Sequence, residues 1–110
     1  MAGEPVPALV WCPFPDDEAA LAAIHLLLDE RLIACGNVLG PITSVFVWNG
    51  EKGTGRETGA LLKTNSDLLD AAVKRLAEIH PYEEPAVVGW RCDAAAAGTA
   101  AWLAAIAGNA

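Results

Sequence analysis

Cationic side chains are scarce in this sequence. It contains seven Lys and Arg residues against fourteen Asp and Glu residues, and its formal net charge at pH 7 is −7. Surfaces that bind phosphate backbones or anionic membranes usually carry an excess of positive charge. The shortage therefore argues against nucleic acid and membrane partners, and it leaves cations as electrostatically favourable ligands.

Cysteine is also infrequent, and its spacing excludes two kinds of site. The chain has three cysteines, Cys12, Cys35 and Cys92, and none belongs to a CxxC pair. This pattern signals neither a structural zinc motif nor a disulfide scaffold. The sequence lacks an apolar run of membrane-spanning length, and residues 1–5 lack the basic start and apolar core of a signal peptide. We therefore expect a cytoplasmic protein with reduced thiols.

Hydrophobic residues, by contrast, are abundant. They make up 54% of the 110 residues, whereas charged residues make up 19%. This length corresponds to one domain, which we place at residues 8–110 after a flexible tail over residues 1–7. The apolar excess indicates a chain that hides hydrophobic surface beyond its own core, as subunits of an oligomer do.

The hydrophobic pattern predicts four strands and three helices. The strands are expected over residues 8–12, 33–48, 51–64 and 85–90, and the helices over residues 17–31, 66–79 and 99–107. The second strand is expected to bend or break at Gly40-Pro41, and Asn49-Gly50 predicts a hairpin turn. Glycines in the returning strand predict a mobile or bulged hairpin tip, and the apolar run of the fourth strand predicts burial on both faces.

The order β-α-β-β-α-β predicts an α+β, ferredoxin-like sandwich with an additional C-terminal helix. Its four-stranded antiparallel sheet would have the spatial order 4-1-3-2, with the first two helices on one face. The other face would then be uncovered. Either the third helix or neighbouring chains must cover it.

This topology places several polar groups at one end of the sheet. They are Cys12 at the end of the first strand, the hairpin tip, and the corner His80-Pro81-Tyr82-Glu83-Glu84-Pro85. Cys35 and Cys92 fall at the other end, on opposite edges of the sheet. Cys12 is either a small buried residue or a thiolate ligand whose pKa is lowered by the nearby helix N-terminus. His80 is either a helix-capping cation or a neutral imidazole ligand.

Sequence motifs of enzymes are missing. Gly53-Thr54-Gly55 lacks the strand-to-helix context and the lysine of a phosphate-binding loop. A nucleophilic pair of Cys12 and His80 is compatible with the topology, but nothing in the sequence supplies an oxyanion hole or a substrate cleft. We therefore expect a protein that is not an enzyme and that has no organic cofactor.

A family likeness extends from about Ala8 to Ile106. Its features are Cys12 with Pro15-Asp16, the segment Glu30-Arg31-Leu32-Ile33-Ala34-Cys35, the segment Gly40-Pro41-Ile42-Thr43-Ser44 followed by Trp48 and Gly50, the segment Leu62-Lys63-Thr64, and His80-Pro81-Tyr82-Glu83 with Pro85. In order and spacing these features resemble the CutA family of divalent-cation tolerance proteins.

The resemblance implies a homotrimer in which long hairpins wrap between subunits, and a link to copper and other divalent cations. It also implies that Cys12 and His80 are the metal ligands, while Ile79 excludes a second imidazole beside His80. The expected function is therefore a trimeric protein that binds copper or a similar cation in the response to metal ions. The alternative is a structural or signalling trimer that binds a small ligand or a protein partner between its subunits.

Overall fold

The computed structural model describes residues 3–106. It contains four strands and three helices: β1 (Pro7–Phe14), α1 (Asp17–Asp29), β2 (Cys35–Trp48), β3 (Glu51–Asn65), α2 (Leu69–Ile79), β4 (Val88–Arg91) and α3 (Ala97–Ala104). Residues 1–2 and 107–110 lie outside the described residues. Helix α3 ends at Ala104, so its predicted continuation is wrong for residues 105–106, while the predicted end at Ala107 lies outside the described residues. Because β1 begins at Pro7 and the amide of Val6 donates to Ser66 Oγ, at 3.0 Å, the described part of residues 1–7 lies close to the sheet. Flexibility of that segment stays a prediction.

The strands form one antiparallel sheet in the order β2-β3-β1-β4. This is the predicted order 4-1-3-2 counted from the opposite edge, so the ferredoxin-like prediction is confirmed. β1 lies at the centre and pairs with β3 over its whole length and with β4 over four residues. Cys35 begins β2 and Cys92 follows β4, so these two cysteines lie at opposite edges of the sheet, as predicted.

Helix α1 begins and ends where local chemistry requires. Asp16 has an extended backbone and its carboxylate accepts a hydrogen bond from the amide of Ala19, at 2.8 Å, which caps the first turn. Asp17 and Glu18 follow in that turn, where negative charge is favourable. The helix ends before Arg31, whose positive φ of 59° turns the chain out of the helical path.

Helix α2 starts later than the sequence predicts. The predicted start at residue 66 is wrong, because α2 begins at Leu69, with Leu68 at the N-cap position. The side-chain oxygen of Asn65 instead accepts from the amides of Asp67 and Leu68, at 3.0 and 3.2 Å, and so holds the turn before the helix. Its amide nitrogen donates to the carbonyl of Leu103 at 2.8 Å, which ties α3 to the same turn.

The core lies between the sheet and the first two helices. Alternate residues of β1 and β3 point into it, as expected for strands with one face buried. Its members include Val10, Cys12, Phe14, Ile24, Leu27, Leu62 and Leu76. Cys12 is fully buried.

The long hairpin differs from its sequence prediction. β3 is one continuous strand that pairs with β2 from Glu51 to Glu57, despite Gly53 and Gly55. The bulged alternative for the hairpin tip is therefore wrong, and its mobility stays a prediction. The irregularity lies on the other strand, where the register shifts between Leu39 and Ile42. Gly40-Pro41 lies at this shift, and the predicted bend there is confirmed.

β4 is shorter and more exposed than predicted. It covers Val88–Arg91 rather than residues 85–90, and all four of its residues are exposed. The predicted burial on both faces is therefore wrong for the single chain. The reason is positional, because β4 is an edge strand, and no helix covers Val88 and Trp90 on the face of the sheet away from α1 and α2.

The face of the sheet away from α1 and α2, called the open face here, is apolar. Residues paired across antiparallel strands share a face, so Trp11 with Val88 and Leu9 with Trp90 lie on the side away from the helices. The exposed large hydrophobic residues assigned to this face by the strand registers are Leu39, Phe46, Trp48, Val88 and Trp90. Since these side chains remain exposed, α3 does not cover them.

Among residues 3–106, no helix is long and apolar enough to cross a membrane. The longest, α1, has 13 residues.

Candidate functional site

A groove of about 990 Å³ opens between the hairpin and the corner after α2. Three aromatic side chains line it, those of Phe46, Trp48 and Tyr82, together with the carboxylates of Glu57, Glu83 and Glu84. Pro13, at the end of β1, lies at its base, next to Cys12 in the chain. The fold therefore gathers the end of β1, the hairpin and the corner, as the topology predicts.

The corner after α2 is fixed by its own sequence. His80 is the C-cap of the helix, with an extended backbone and an amide that donates to the carbonyl of Leu76 at 3.0 Å. Pro81 cannot continue the helix and disfavours helical geometry at His80, while Pro85 has the same effect on Glu84. The helix therefore stops at a defined residue, and the chain turns along the groove.

The imidazole of His80 is buried and bonded on both sides. Its Nε2 lies 2.8 Å from the carbonyl oxygen of Pro13, and its Nδ1 lies 3.0 Å from the amide nitrogen of Tyr82. A carbonyl can only accept and an amide N–H can only donate. Nε2 therefore carries the hydrogen, Nδ1 accepts with its lone pair, and this arrangement is that of a neutral ring.

Aromatic neighbours hold the imidazole in place. The ring of Phe14 stacks on it with a centroid distance of 4.5 Å, and the ring of Tyr82 is tilted against it at 4.8 Å. The sequence interpretation of His80 as a helix-capping cation does not describe this geometry, because both ring nitrogens bond to backbone groups outside α2.

Cys12 lies below the groove and points into the core. Its thiol donates weakly to the Pro13 carbonyl, with Sγ 3.5 Å from the oxygen. Burial, with a smaller effect of the Glu57 charge, raises the pKa of the Cys12 thiol from 9.0 to about 12. The predicted lowering of this pKa by the N-terminus of α1 is therefore wrong, because desolvation of the thiolate exceeds any favourable effect of the helix.

Tyr82 links the corner to the hairpin. Its hydroxyl donates to a carboxylate oxygen of Glu57 at 2.8 Å. Desolvation, followed by the hydrogen bond and the charge of Glu57, raises the pKa of Tyr82 to about 12. The phenol therefore stays a donor over the physiological pH range.

The donors present do not fit a metal ion in this arrangement. The lone pair of His80 Nδ1 is taken by an amide, Nε2 carries a hydrogen, and the Cys12 thiol keeps its proton. Within residues 3–106, no group of three or more His, Cys, Asp and Glu side chains is arranged to hold a metal. In the structure both predicted ligands, Cys12 and His80, donate a hydrogen bond to the carbonyl oxygen of Pro13.

Sequence reasoning missed two partners in this site. Glu57 lies in the glycine-rich part of β3, whose strand pattern is too weak to show which side chain faces the corner. The Pro13 carbonyl is a backbone group, and residue types carry no signal for it. The signal that was available is the proline on each side of the corner, which indicates a fixed geometry.

Comparisons with known proteins agree on one family. A sequence model described as CutA1 divalent ion tolerance protein matches residues 8–106. The chain is 41% identical over 80 residues to the divalent-cation tolerance protein CutA of Pyrococcus horikoshii, a match that spans 73% of this chain and 78% of that protein. It is 39% identical over 79 residues to the protein of the same name from Thermotoga maritima, spanning 72% of this chain and 77% of that one.

The fold comparison gives the same result. The crystal structure of the divalent ion tolerance protein CutA1 from Ehrlichia chaffeensis superimposes with a TM-score of 0.85 at 33% sequence identity. The match covers 92% of this chain and 94% of that one.

Proposed function

The chain belongs to the CutA1 divalent ion tolerance family, and from that membership we propose that it takes part in the response of a cell to divalent metal ions. In this proposal it binds copper or a similar cation as a homotrimer in the cytoplasm. The relatives named divalent-cation tolerance proteins carry the functional part of the proposal. The acidic balance of the chain, with a net charge of −7, favours cations over anionic ligands.

The open face of the sheet supports the trimeric part of the proposal. Leu39, Phe46, Trp48, Val88 and Trp90 place large apolar side chains on one side of a single sheet. Contiguous apolar surface of this kind marks an interaction site in soluble proteins. Further copies of the same chain would cover it, and the projecting hairpin, which contributes Phe46 and Trp48, would reach across to a neighbour.

We also propose that the chain is not an enzyme. A nucleophilic Cys12 would need a base that accepts its proton, but His80 Nε2 donates to the Pro13 carbonyl and cannot accept in this arrangement. Burial holds the thiol proton more tightly, which is the opposite of nucleophile activation. The cytoplasmic part of the proposal is consistent with the free thiols of all three cysteines.

The groove favours a second candidate, a trimer that recognises a small ligand or a partner. Aromatic rings and carboxylates face the same space there, between the hairpin and the corner. In this alternative the effect of metal ions on the cell would be indirect.

Calorimetric titration of the whole protein with Zn²⁺, and with Cu²⁺ in a separate experiment, tests the two candidates. Saturable binding with a fixed number of ions per chain supports cation binding. Weak binding that does not saturate favours the ligand-recognition candidate and contradicts the first. The ligand assignment to Cys12 and His80 stays a sequence prediction, and the double variant Cys12→Ala/His80→Ala would lose the binding if it is correct.

A further inference from the structure

The strongest unexplained feature is the use of one backbone oxygen by two side chains. The Pro13 carbonyl accepts from His80 Nε2 at 2.8 Å and from the Cys12 thiol at 3.5 Å. His80 and Pro13 are 67 residues apart in the chain, and His80 is only 7% exposed. The imidazole therefore joins the end of β1 to the first residue of the corner.

The second ring nitrogen extends this link into the corner itself. Nδ1 accepts from the amide of Tyr82, so the ring bridges two backbone groups and fixes the residue on the far side of Pro81. The Tyr82 hydroxyl then bonds to Glu57 on β3. Through these three contacts, the wall of the groove is attached to both β1 and the hairpin.

We infer that His80 is a positioning residue, a neutral clip that fixes the corner His80–Pro85 against β1, and that any cation bound by this chain is held elsewhere. A cation on His80 would have to displace either the Pro13 carbonyl or the Tyr82 amide, and so would release the corner. The Cys12 thiol donates its hydrogen to the same carbonyl and is buried in the core, so its sulfur does not line the groove. The statement that a cation binds elsewhere rests on the proposed function, whereas the positioning role of His80 does not.

The tautomer of His80 gives a direct spectroscopic test. Long-range ¹H–¹⁵N NMR on the uniformly labelled protein distinguishes a protonated ring nitrogen from one that bears a lone pair. We expect His80 to show hydrogen on Nε2 alone, with no change on addition of Zn²⁺. His25, whose side chain is exposed on α1, provides an internal reference. A metal-bound pattern at either nitrogen of His80 would overturn the inference.

Hydrogen exchange tests the positioning role. In His80→Ala the amide of Tyr82 loses its acceptor, and we expect its exchange to become about tenfold faster or more. The amide of Cys92, which donates to the Pro7 carbonyl at the other end of β1, should keep its wild-type rate. His80→Gln retains an N–H that can reach the Pro13 carbonyl, and should restore part of the protection. Unchanged exchange at Tyr82 in His80→Ala would contradict the clip.

Zinc calorimetry on the same variants separates the two proposals. We expect the zinc Kd of His80→Ala and of Cys12→Ala to stay within about twofold of the wild-type value, since the inference assigns neither residue as a ligand. A Kd raised by tenfold or more in either variant would overturn the inference while supporting the proposed function. If the wild-type protein shows no saturable binding, the proposed cation binding is wrong. The tautomer and exchange measurements then decide alone whether His80 has the positioning role.

Discussion

At the scale of single residues, Cys12 shows how burial decides chemistry. Its position at the end of a strand, beside a helix N-terminus, is compatible with either an inert or a reactive thiol. The residue type alone cannot decide, because the outcome depends on how much water reaches the sulfur. In the fold its side chain points to the helix layer and joins the core, so the thiol is the stable form.

Alkaline pH should therefore weaken the fold through Cys12. Its pKa is raised from 9.0 to about 12, so the folded state binds this proton more tightly than the unfolded state. The associated stability is fully present below about pH 9 and is lost as the pH rises towards 12. Tyr82 should also lower the stability as the pH rises, because its pKa is likewise raised to about 12.

Urea unfolding at fixed protein concentration, from pH 8 to 11, measures this effect. We expect the free energy of unfolding to decline above pH 9 with a slope of up to about 1.4 kcal/mol per pH unit from Cys12. Cys12→Ala should remove that component of the slope, and Cys35→Ala, at a half-buried position, serves as the control. Identical slopes in the two variants would refute the assignment to Cys12.

At the scale of elements, the sequence predicts which helices and strands are present better than it predicts where they begin and end. The continuous apolar run of residues 8–12 and the clear helical periodicity of α2 made those elements predictable, and the Asn49-Gly50 turn located the hairpin. The uninterrupted course of β3 was not predictable, because glycines have low strand propensity and the residues that compensate are far away in sequence. Gly59 illustrates this, since it lies where the ring of Trp11 crosses the sheet surface.

Replacement of Gly59 should be far more costly than replacement of Gly55. A Cβ at Gly59 would overlap the Trp11 ring and lie 3.2 Å from the Leu39 carbonyl oxygen, whereas a Cβ at Gly55 meets nothing within 4 Å. We expect Gly59→Ala to lower the free energy of unfolding by about 1–3 kcal/mol. Gly55→Ala, in the same strand, should change it by about 0.5 kcal/mol or less. Urea unfolding of both variants decides, and equal losses would show that strand propensity rather than the Trp11 contact governs β3.

At the scale of the whole molecule, the open face of the sheet was the most informative inference from the sequence. A single helix layer over a sheet whose strands carry apolar residues on both sides must leave one side uncovered. The sequence left open whether α3 or other chains would cover it. The structure answers part of the question, because α3 lies where Asn65 binds it and leaves Val88 and Trp90 exposed.

Two tryptophans of nearly equal exposure test the proposed assembly. Trp90, on the open face, is 45% exposed, and Trp102, on α3, is 49% exposed. We expect Trp90→Lys to reduce the molar mass measured by light scattering from three chains to one, because a charge on the covered face would be buried without a partner. Trp102→Lys should keep the mass of the parent protein. A trimer that survives Trp90→Lys, or a wild-type protein of single-chain mass, would contradict the proposed interface.

The central position of β1 also has a consequence for synthesis. β1 pairs with residues 58–65 and 88–91, which follow it in the chain. During synthesis from the N-terminus, the apolar residues of β1 therefore remain without these strand partners until residues 58–65 have been made. The hairpin of β2 and β3, whose strands are neighbours in sequence, can close before that strand finds its place. Among the four described strands, the order of translation and the order of assembly in the sheet are thus opposed. β1 is made before the other three, but it has partners on both edges only when β4 is added.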